Sequence, residues 1–301
     1  VLMIWNGWVK SIEMKNSYPL ILGFLVLRVG FLKAHPTGNL CLFQDQAYWS
    51  YIEPVDDQEH HACIWRMDST GKKSLFRQSK YAASDFMLQN ADTALYILER
   101  RYLSAQDIFE LRLFKYDGLG PAKLIWDWFR DPLRVGEAGF KMLSDQELLF
   151  VRYPSLYRLK KHGEPQLDPS ISDSLHKMRA VGPNQILFGG DFCAWLRSDE
   201  GRLLQDWPLI GDPNADATKA PMGRNSIFGM DYYKGHLLLA YWGKRQFLLY
   251  DPKGKSRILL QHKDPYTPHW VCFWDKKALL FASALYWDGR TPEPSLVLRR
   301  W

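Results

Sequence analysis

The chain has 301 residues, of which 47% are apolar, 24% are charged and 15% are aromatic. This composition is that of a globular protein with ample core and excludes general disorder, and the aromatic content favours strands. The formal net charge is +6, but the basic residues are scattered along the sequence. Because nucleic-acid binding requires a clustered basic face, we predict no nucleic-acid partner.

The first 34 residues are predicted to stand apart from the rest of the chain. Residues 18–32 form the most apolar window, YPLILGFLVLRVGFL, which contains Arg28. A transmembrane helix needs about 20 apolar residues, so we predict no stable membrane span. The window resembles a signal peptide more closely, with Lys15 in a short basic start and Ala34 near a cleavage point. This favours a periplasmic or secreted protein; the alternative is that the window forms strands of the following domain.

From about residue 39 onward, a pattern of short strands recurs six times. Each copy has an apolar strand after a polar turn, and these strands begin at residues 47, 94, 147, 185, 236 and 278. A second hairpin follows in step, with a turn rich in Asp, Lys and Gly, as in LYDPKGK at 249–255. Glycine permits positive φ in such turns, and Asp bonds to its own backbone there. Residues 35–301 are therefore predicted to form one repeat domain.

The spacing of the six copies matches β-propeller blades, whose repeats are roughly 40–50 residues long. The innermost strands are predicted just before the polar turns, at 39–43, 85–89, 139–143, 176–181, 226–233 and 270–274. A single blade buries neither face, so the blades must stack and close into a ring. We predict an all-β, six-bladed β-propeller of four-stranded antiparallel blades. The last blade closes either with a strand from residues 29–38 or entirely with SLVLRR at 295–300.

The turn at 249–255 and its copies resemble those of the six-bladed propellers grouped as TolB-like or NHL-like. The resemblance covers residues 39–301 and indicates no specific family. It implies the propeller architecture and a general role in binding ligands or proteins. The cysteines contain no C-x-x-C pair, so neither a zinc knuckle nor a thioredoxin-like centre is predicted, and one fold-dependent disulfide is left open. They are Cys41, Cys63, Cys193 and Cys272.

Binding chemistry in a repeat fold is normally carried by loops. Aromatic and cationic residues recur in equivalent loops of three blades, a combination that suits sugars, anionic ligands or an acidic peptide. The candidate binding residues are Arg100, Arg101, Tyr102, Arg152, Tyr153, Tyr241, Trp242, Lys244 and Arg245. Our main hypothesis is a non-catalytic binding or scaffold propeller that holds a protein, peptide or glycan on its loop-bearing face, without a cofactor.

The alternative is a metal-dependent hydrolase or lactonase with one divalent cation at the channel mouth. Six-bladed lactonases hold a metal with carboxylate, Asn and His groups, although this chain lacks their glutamate at the first inner strand. The corresponding candidate ligands are His176, Asn225, Asp231 and His269. The sequence contains no G-x-S-x-G, P-loop or H-E-x-x-H motif. The acidic and histidine-rich loop at 56–61 and the D-x-N-x-D segment at 212–216 are further candidate cation sites; the second lacks the glycine and glutamate of a calcium loop.

Overall fold

The computed structural model describes most of the chain from residue 39 onward. The described ranges are 39–52, 61–82, 84–91, 93–131, 133–171, 174–190, 193–208, 210, 227–284 and 293–301. Their regular elements are all β-strands, which form six antiparallel sheets. Within these ranges we find no helix whose length and apolar character would let it span a bilayer.

The first three sheets have four strands each, in chain order. The first contains β1 (Leu40–Phe43), β2 (Gln46–Ile52), β3 (Ala62–Met67) and β4 (Lys73–Gln78). The second contains β5 (Ser84–Asn90), β6 (Leu95–Leu103), β7 (Ile108–Tyr116) and β8 (Lys123–Arg130). The third contains β9 (Phe140–Ser144), β10 (Glu147–Arg152), β11 (Ser155–Lys160) and β12 (Gln166–Leu167).

The remaining three sheets repeat the arrangement. The fourth contains β13 (Lys177–Gly182), β14 (Gln185–Gly189), β15 (Ala194–Ser198) and β16 (Leu203–Trp207). The fifth contains β17 (Ile227–Tyr233), β18 (His236–Tyr241), β19 (Gln246–Tyr250) and β20 (Ser256–Gln261). The sixth contains β21 (Tyr266–Trp274), β22 (Lys277–Ala284) and β23 (Glu293–Arg300) among the described residues.

The six sheets are the blades of a closed ring. Each innermost strand contacts the innermost strand of the next blade, and β21 contacts β1. Six hydrophobic clusters lie between neighbouring blades, and in one of them Phe86 and Leu88 of β5 pack with Ile64 of β3. Met87, between these two residues, packs towards the third blade. The prediction of an all-β, six-bladed propeller is confirmed, and stacking between blades buries both faces of each sheet.

The C-terminal segment SLVLRR lies in β23, which pairs with β22 as the third strand of the sixth blade. Among the described residues it is the outermost strand of that blade, as one of the two predicted closures requires. The other predicted closing segment, residues 29–38, lies outside the described residues, as does the predicted N-terminal segment 1–34.

The chain direction gives the ring two different ends. All innermost strands begin at one end of the central channel, so the loops from second to third strands and the connections between blades lie there too. We call this end the loop face. The opposite end carries the short turns between first and second strands, such as Gln44-Asp45 and Lys234-Gly235, and we call it the turn face.

A buried ion pair crosses the middle of the channel. Arg179 of β13 donates from Nε to Asp231 Oδ1 of β17 at 2.8 Å, and from Nη1 to the Leu40 carbonyl of β1 at 2.7 Å. Asp231 Oδ2 accepts the backbone N–H of Phe273 in β21 at 2.7 Å. Burial disfavours the charged guanidinium, but Asp231 outweighs it and raises the pKa of Arg179. Two side chains thus connect four of the six blades.

The other blades are joined by single polar side chains of the innermost strands. Asn39 Oδ1 accepts the backbone N–H of Leu88 at 2.6 Å, and its Nδ2 donates to the Leu88 carbonyl. Gln89 Oε1 accepts the N–H of Met142 at 3.0 Å, which joins the second blade to the third. Lys141 bonds the Pro183 carbonyl at 2.8 Å, which joins the third to the fourth. Backbone groups that a lone sheet edge would leave unpaired are satisfied in this way.

Glycine is required where the fifth and sixth blades approach each other closely. A Cβ on Gly229 of β17 would lie 2.6 Å from the His269 carbonyl oxygen and from Trp270 Cα in β21. Both neighbours are backbone atoms, which cannot move aside without shifting the strand. The contact fixes the spacing of the fifth and sixth blades.

All four cysteines are free thiols. Burial raises the pKa of Cys41 to about 12, and it raises that of Cys272 well above its ordinary value. These two thiols therefore stay protonated and unreactive at neutral pH.

We expect Arg179→Met to lower the free energy of unfolding by about 3–5 kcal/mol, because the change leaves the buried Asp231 carboxylate uncompensated. Urea unfolding of the full chain measures the change, and adding Asp231→Asn to Arg179→Met should recover part of the loss. The control is Arg257→Met, an exposed arginine on β20, whose effect should stay within about 0.5 kcal/mol. Equal effects of the two arginine changes would show that the ion pair does not hold the ring.

Candidate functional site

The nine predicted binding residues all lie on the loop face. They occupy the ends of β6, β10 and β18, which run towards that face, or the loops that follow these strands. The sequence predicted that these residues would share one face of the propeller. The structure then separates the nine into three groups, because their burial and their partners differ between blades.

The second-blade residues are bound within their own blade. Arg100 is buried and forms an ion pair with Asp85 at 2.6 Å. Arg101 pairs with Glu110 at 2.6 Å, and its guanidinium lies 4.1 Å from the ring centre of Trp128. The Tyr102 hydroxyl donates to the neighbouring Asp107 at 2.7 Å, which leaves that ring on the surface of the blade.

The fifth-blade residues are divided between core and surface. Tyr241 and Trp242 are 1% and 5% exposed, and the Trp242 ring packs on Phe228 at 5.6 Å. Lys244 is exposed, and Arg245 forms an ion pair with Asp264 at 2.7 Å. The two aromatic rings therefore support the channel wall, while the cations lie on the outer surface.

The third-blade residues stand at the mouth of the channel. Tyr153, in the turn between β10 and β11, is 59% exposed, and its ring contacts His176 at 4.4 Å. Arg152 forms an ion pair with Glu137 at 3.0 Å, and both side chains are about two-fifths exposed. Glu137 and His176 come from the connections on either side of the third blade, and they meet Arg152 and Tyr153 beside the start of β13.

Two further side chains complete this group. Lys177 is the first residue of β13, and its ammonium lies 5.2 Å from the ring centre of Phe228, the second residue of β17. We name the group the mouth cluster, and it spans the third, fourth and fifth blades. Its members are Glu137, Arg152, Tyr153, His176, Lys177 and Phe228.

The channel below the mouth cluster is narrow. Its cavity has a volume of about 50 Å³ and is lined by all six blades, through residues that include Asn39, Leu88, Phe140, Lys177, Phe228 and Trp270. A water molecule needs roughly 10–15 Å³ of such space, whereas a pocket for a whole small molecule has roughly 300–1,000 Å³. The cavity therefore has room for a few waters or for one small group of a larger ligand. Arg179 lines the cavity and crosses the channel to β1.

Sequence reasoning missed three residues of the mouth cluster, Glu137, Lys177 and Phe228, and Lys177 is the one that carries a charge unpaired among the described residues. It is half-buried, and its side chain lines the channel cavity. Burial lowers the pKa of Lys177 to about 8, and the charge of Glu137 offsets this in part. One feature of the sequence could have identified Lys177. It lies near the start of a predicted innermost strand, next to the candidate metal ligand His176.

The residues of the alternative metal site have other partners. His269 is 1% exposed, and its Nε2 lies 2.9 Å from Ser283 Oγ. Asp231 holds Arg179, His176 contacts Tyr153, and Asn225 lies outside the described residues. Over the ranges that the structure describes, no three His, Cys, Asp or Glu side chains are grouped to hold a metal ion. The alternative stays a prediction.

The two further candidate cation sites fall largely outside the described residues. Only His61 of the loop at 56–61 is described, and it lies just before β3. None of the segment 212–216 is described. Neither prediction is tested by the geometry.

The comparisons with known proteins concern the fold. No protein-family model and no curated protein sequence matches the chain. It is similar to virginiamycin B lyase from Staphylococcus aureus, at 11% identity over 81% of this chain and 91% of that chain, with a TM-score of 0.48. It is similar to the β-propeller domain of Cps50 (Swd1) from Myceliophteria thermophila, at 10% identity over 88% and 98%, with a TM-score of 0.48.

A third similar structure is YCF48 bound to D1 peptide, at 10% identity over 88% of this chain and 92% of that chain, with a TM-score of 0.42. At these identities the likeness concerns propeller architecture alone. The grouping as TolB-like or NHL-like stays a prediction.

A buried charged cluster lies beneath the loop face, between the second blade and the connection to the third. It contains Asp85, Arg100 and Asp131. Asp131 Oδ1 accepts the backbone N–H of Val135 at 2.9 Å. Asp131 Oδ2, Asp85 Oδ1 and two guanidinium nitrogens of Arg100 have no hydrogen-bond partner among the described residues. Burial raises the pKa of Asp131 to about 6, although the Val135 amide and Arg100 act in the opposite direction.

This cluster makes stability depend on pH. The Asp131 pKa is higher in the folded state than its ordinary value of 3.8. The free energy of unfolding should therefore fall as the pH rises from about 4 to about 6, by roughly 2–3 kcal/mol, and then stay level. Asp131→Asn removes this contribution, so the difference between wild type and variant should change by that amount between pH 4 and pH 7.

Urea unfolding of both proteins at pH 4, 5, 6 and 7 measures the difference. Asp127→Asn, at an exposed position of β8, controls for the substitution itself. A difference between wild type and Asp131→Asn that is the same at every pH would contradict the account of this cluster.

Proposed function

We propose that the protein is a non-catalytic propeller that binds a protein, peptide or glycan on its loop face, through the mouth cluster. The observation that carries this proposal is the exposed Tyr153 ring, which lies on His176 beside the solvent-accessible pair of Arg152 and Glu137. Tyrosine and arginine are the residue types that dominate binding energy at protein interfaces.

The mouth cluster is favoured over the other loop-face candidates by exposure. Arg100 and Trp242 are buried, and Arg101 is bonded to Glu110 and stacked on Trp128. A ligand would have to displace these internal contacts before binding there. Tyr153 presents its ring without such a rearrangement.

The size of the channel supports a ligand that lies across the mouth. A cavity of about 50 Å³ admits one group and excludes a whole small molecule. An extended peptide can rest on Tyr153 and place one side chain or its end into the channel. We therefore take a peptide as the first ligand to test, and a glycan as the second.

The chemistry near the mouth supports binding in preference to catalysis. The imidazole of His269 is held by Ser283 and Thr267, and the thiols of Cys41 and Cys272 have raised pKa values. A hydrolytic site would need a base or a nucleophile poised towards substrate. The His269 imidazole is instead held by its hydroxyl partners, and the two thiols are protonated.

The test begins with selection of peptides from a random display library on the immobilised full chain. Tyr153→Ala should weaken the selected peptides at least tenfold, because it removes the main exposed aromatic contact. Leu119→Ala is the matched control, since Leu119 is 79% exposed in a turn on the opposite face. Fluorescence anisotropy gives the affinities, and equal melting temperatures confirm that both variants fold.

Peptides that bind Tyr153→Ala as tightly as wild type would overturn the proposed face. If the peptides bind Tyr153→Ala normally but bind Leu119→Ala more weakly than wild type, the binding site lies on the turn face. A glycan array probed with the three proteins applies the same comparison to carbohydrate ligands.

A further inference from the structure

The channel cavity contains one cation, the Lys177 ammonium, that has no ion-pair partner among the described residues, and Glu137 acts on it only from beyond ion-pair distance. Arg179 is paired with Asp231, and Glu137 is paired with Arg152. Lys177 lines the same cavity, and no acceptor among the described residues lies within hydrogen-bond distance of its ammonium. The charged groups of the cavity therefore sum to one excess positive charge.

The fold gains nothing from this charge. An ammonium taken from water without an ion-pair partner destabilises the folded state. The contact of the ammonium with the face of the Phe228 ring at 5.2 Å offsets only part of that cost. A methionine would fill a similar volume without the penalty. Buried charges that the fold does not need are concentrated at functional sites.

We infer that the channel mouth receives a carboxylate of the bound ligand, with the Lys177 ammonium as its counter-ion and the Phe228 ring beside it. The inference rests on the proposed function and narrows its ligand to an acidic peptide. A carboxylate is small enough for a cavity of about 50 Å³, and it restores the missing negative charge. The carboxylate comes either from the C-terminus of the peptide or from an Asp or Glu side chain.

The geometry also predicts how binding varies with pH. The ammonium of Lys177 must be protonated to hold a carboxylate, and its pKa is about 8. The charged and titratable groups around it are Glu137, Arg179 and His176. Glu137 forms an ion pair with Arg152, and Arg179 forms one with Asp231. Affinity for acidic peptides should therefore fall above about pH 8, whereas affinity for neutral peptides should not.

The experiment uses three synthetic libraries of random ten-residue peptides. One has free C-termini, one is C-terminally amidated, and one is amidated and lacks Asp and Glu. Each library is passed over the immobilised full chain and over Lys177→Met, Lys177→Arg and Tyr153→Ala. Mass spectrometry identifies the captured peptides, and anisotropy measures their affinities at pH 7 and pH 9.5.

Wild type should prefer peptides with a carboxylate, and Lys177→Met should weaken them at least tenfold. Lys177→Arg should retain part of the affinity, because a guanidinium also binds a carboxylate. If wild type prefers only the library with free C-termini, the bound group is the C-terminal carboxylate. If it binds the amidated library that contains Asp and Glu equally well, the bound group is a side-chain carboxylate. Lys177→Met should melt at or above the wild-type temperature, and Lys177→Gln replaces it if it does not fold.

Failure of this inference and failure of the proposed function give different results. If acidic peptides bind Lys177→Met as tightly as wild type while Tyr153→Ala loses them, the inference is wrong and the proposed face stands. If no library yields a peptide whose binding depends on Tyr153, the proposed function fails and takes the inference with it.

Discussion

The guanidinium of Arg179 is the contact on which the ring depends. It reaches from the fourth blade to the fifth through Asp231 and to the first through the Leu40 carbonyl, and Asp231 extends the link to the sixth blade. A six-bladed propeller has a central channel, and the backbone and side chains of its innermost strands form the walls of this channel. Hydrophobic packing between blades cannot fill that channel, because it lies inside the ring and not between sheets. A charged pair whose two members also bond to backbone groups of other blades is strong in such surroundings and fixes the positions of the strands.

The same contact shapes the candidate site. Arg179 and Lys177 are two residues apart on β13, so both line the channel cavity. Arg179 forms an ion pair with Asp231 and crosses the channel. The Lys177 ammonium has no hydrogen-bond acceptor among the described residues. Close approach of the blades at Gly229 keeps Phe228 in place beside the Lys177 ammonium. The mouth cluster is thus held on rigid strands, which lowers the entropy lost when a ligand binds.

The sequence predicted the blades well and their side-chain partners poorly. The apolar strands and the glycine turns repeat regularly, so the predicted innermost strand 85–89 lies within the observed Ser84–Asn90. The strand predicted at 270–274 begins earlier, at Tyr266. Proline argues against a strand interior, but β21 accommodates Pro268 through a shift of register between Pro268 and Trp270.

The candidate site shows more clearly what could not be predicted from the sequence. Strands that are buried on both faces lose the alternation of polar and apolar residues. No pattern could therefore show that Arg100 turns inwards to Asp85. Lys177 was missed for the same reason, since a lysine at a strand end is usually solvated. Only the ring geometry places it inside the channel.

The most direct measurement is a crystal structure of the full chain with an acidic peptide selected on it. The account predicts that the peptide lies on the loop face against Tyr153, with a carboxylate oxygen about 3 Å from Lys177 Nζ. A peptide seated on the turn face or along an outermost strand, with the channel mouth filled by water alone, would contradict it.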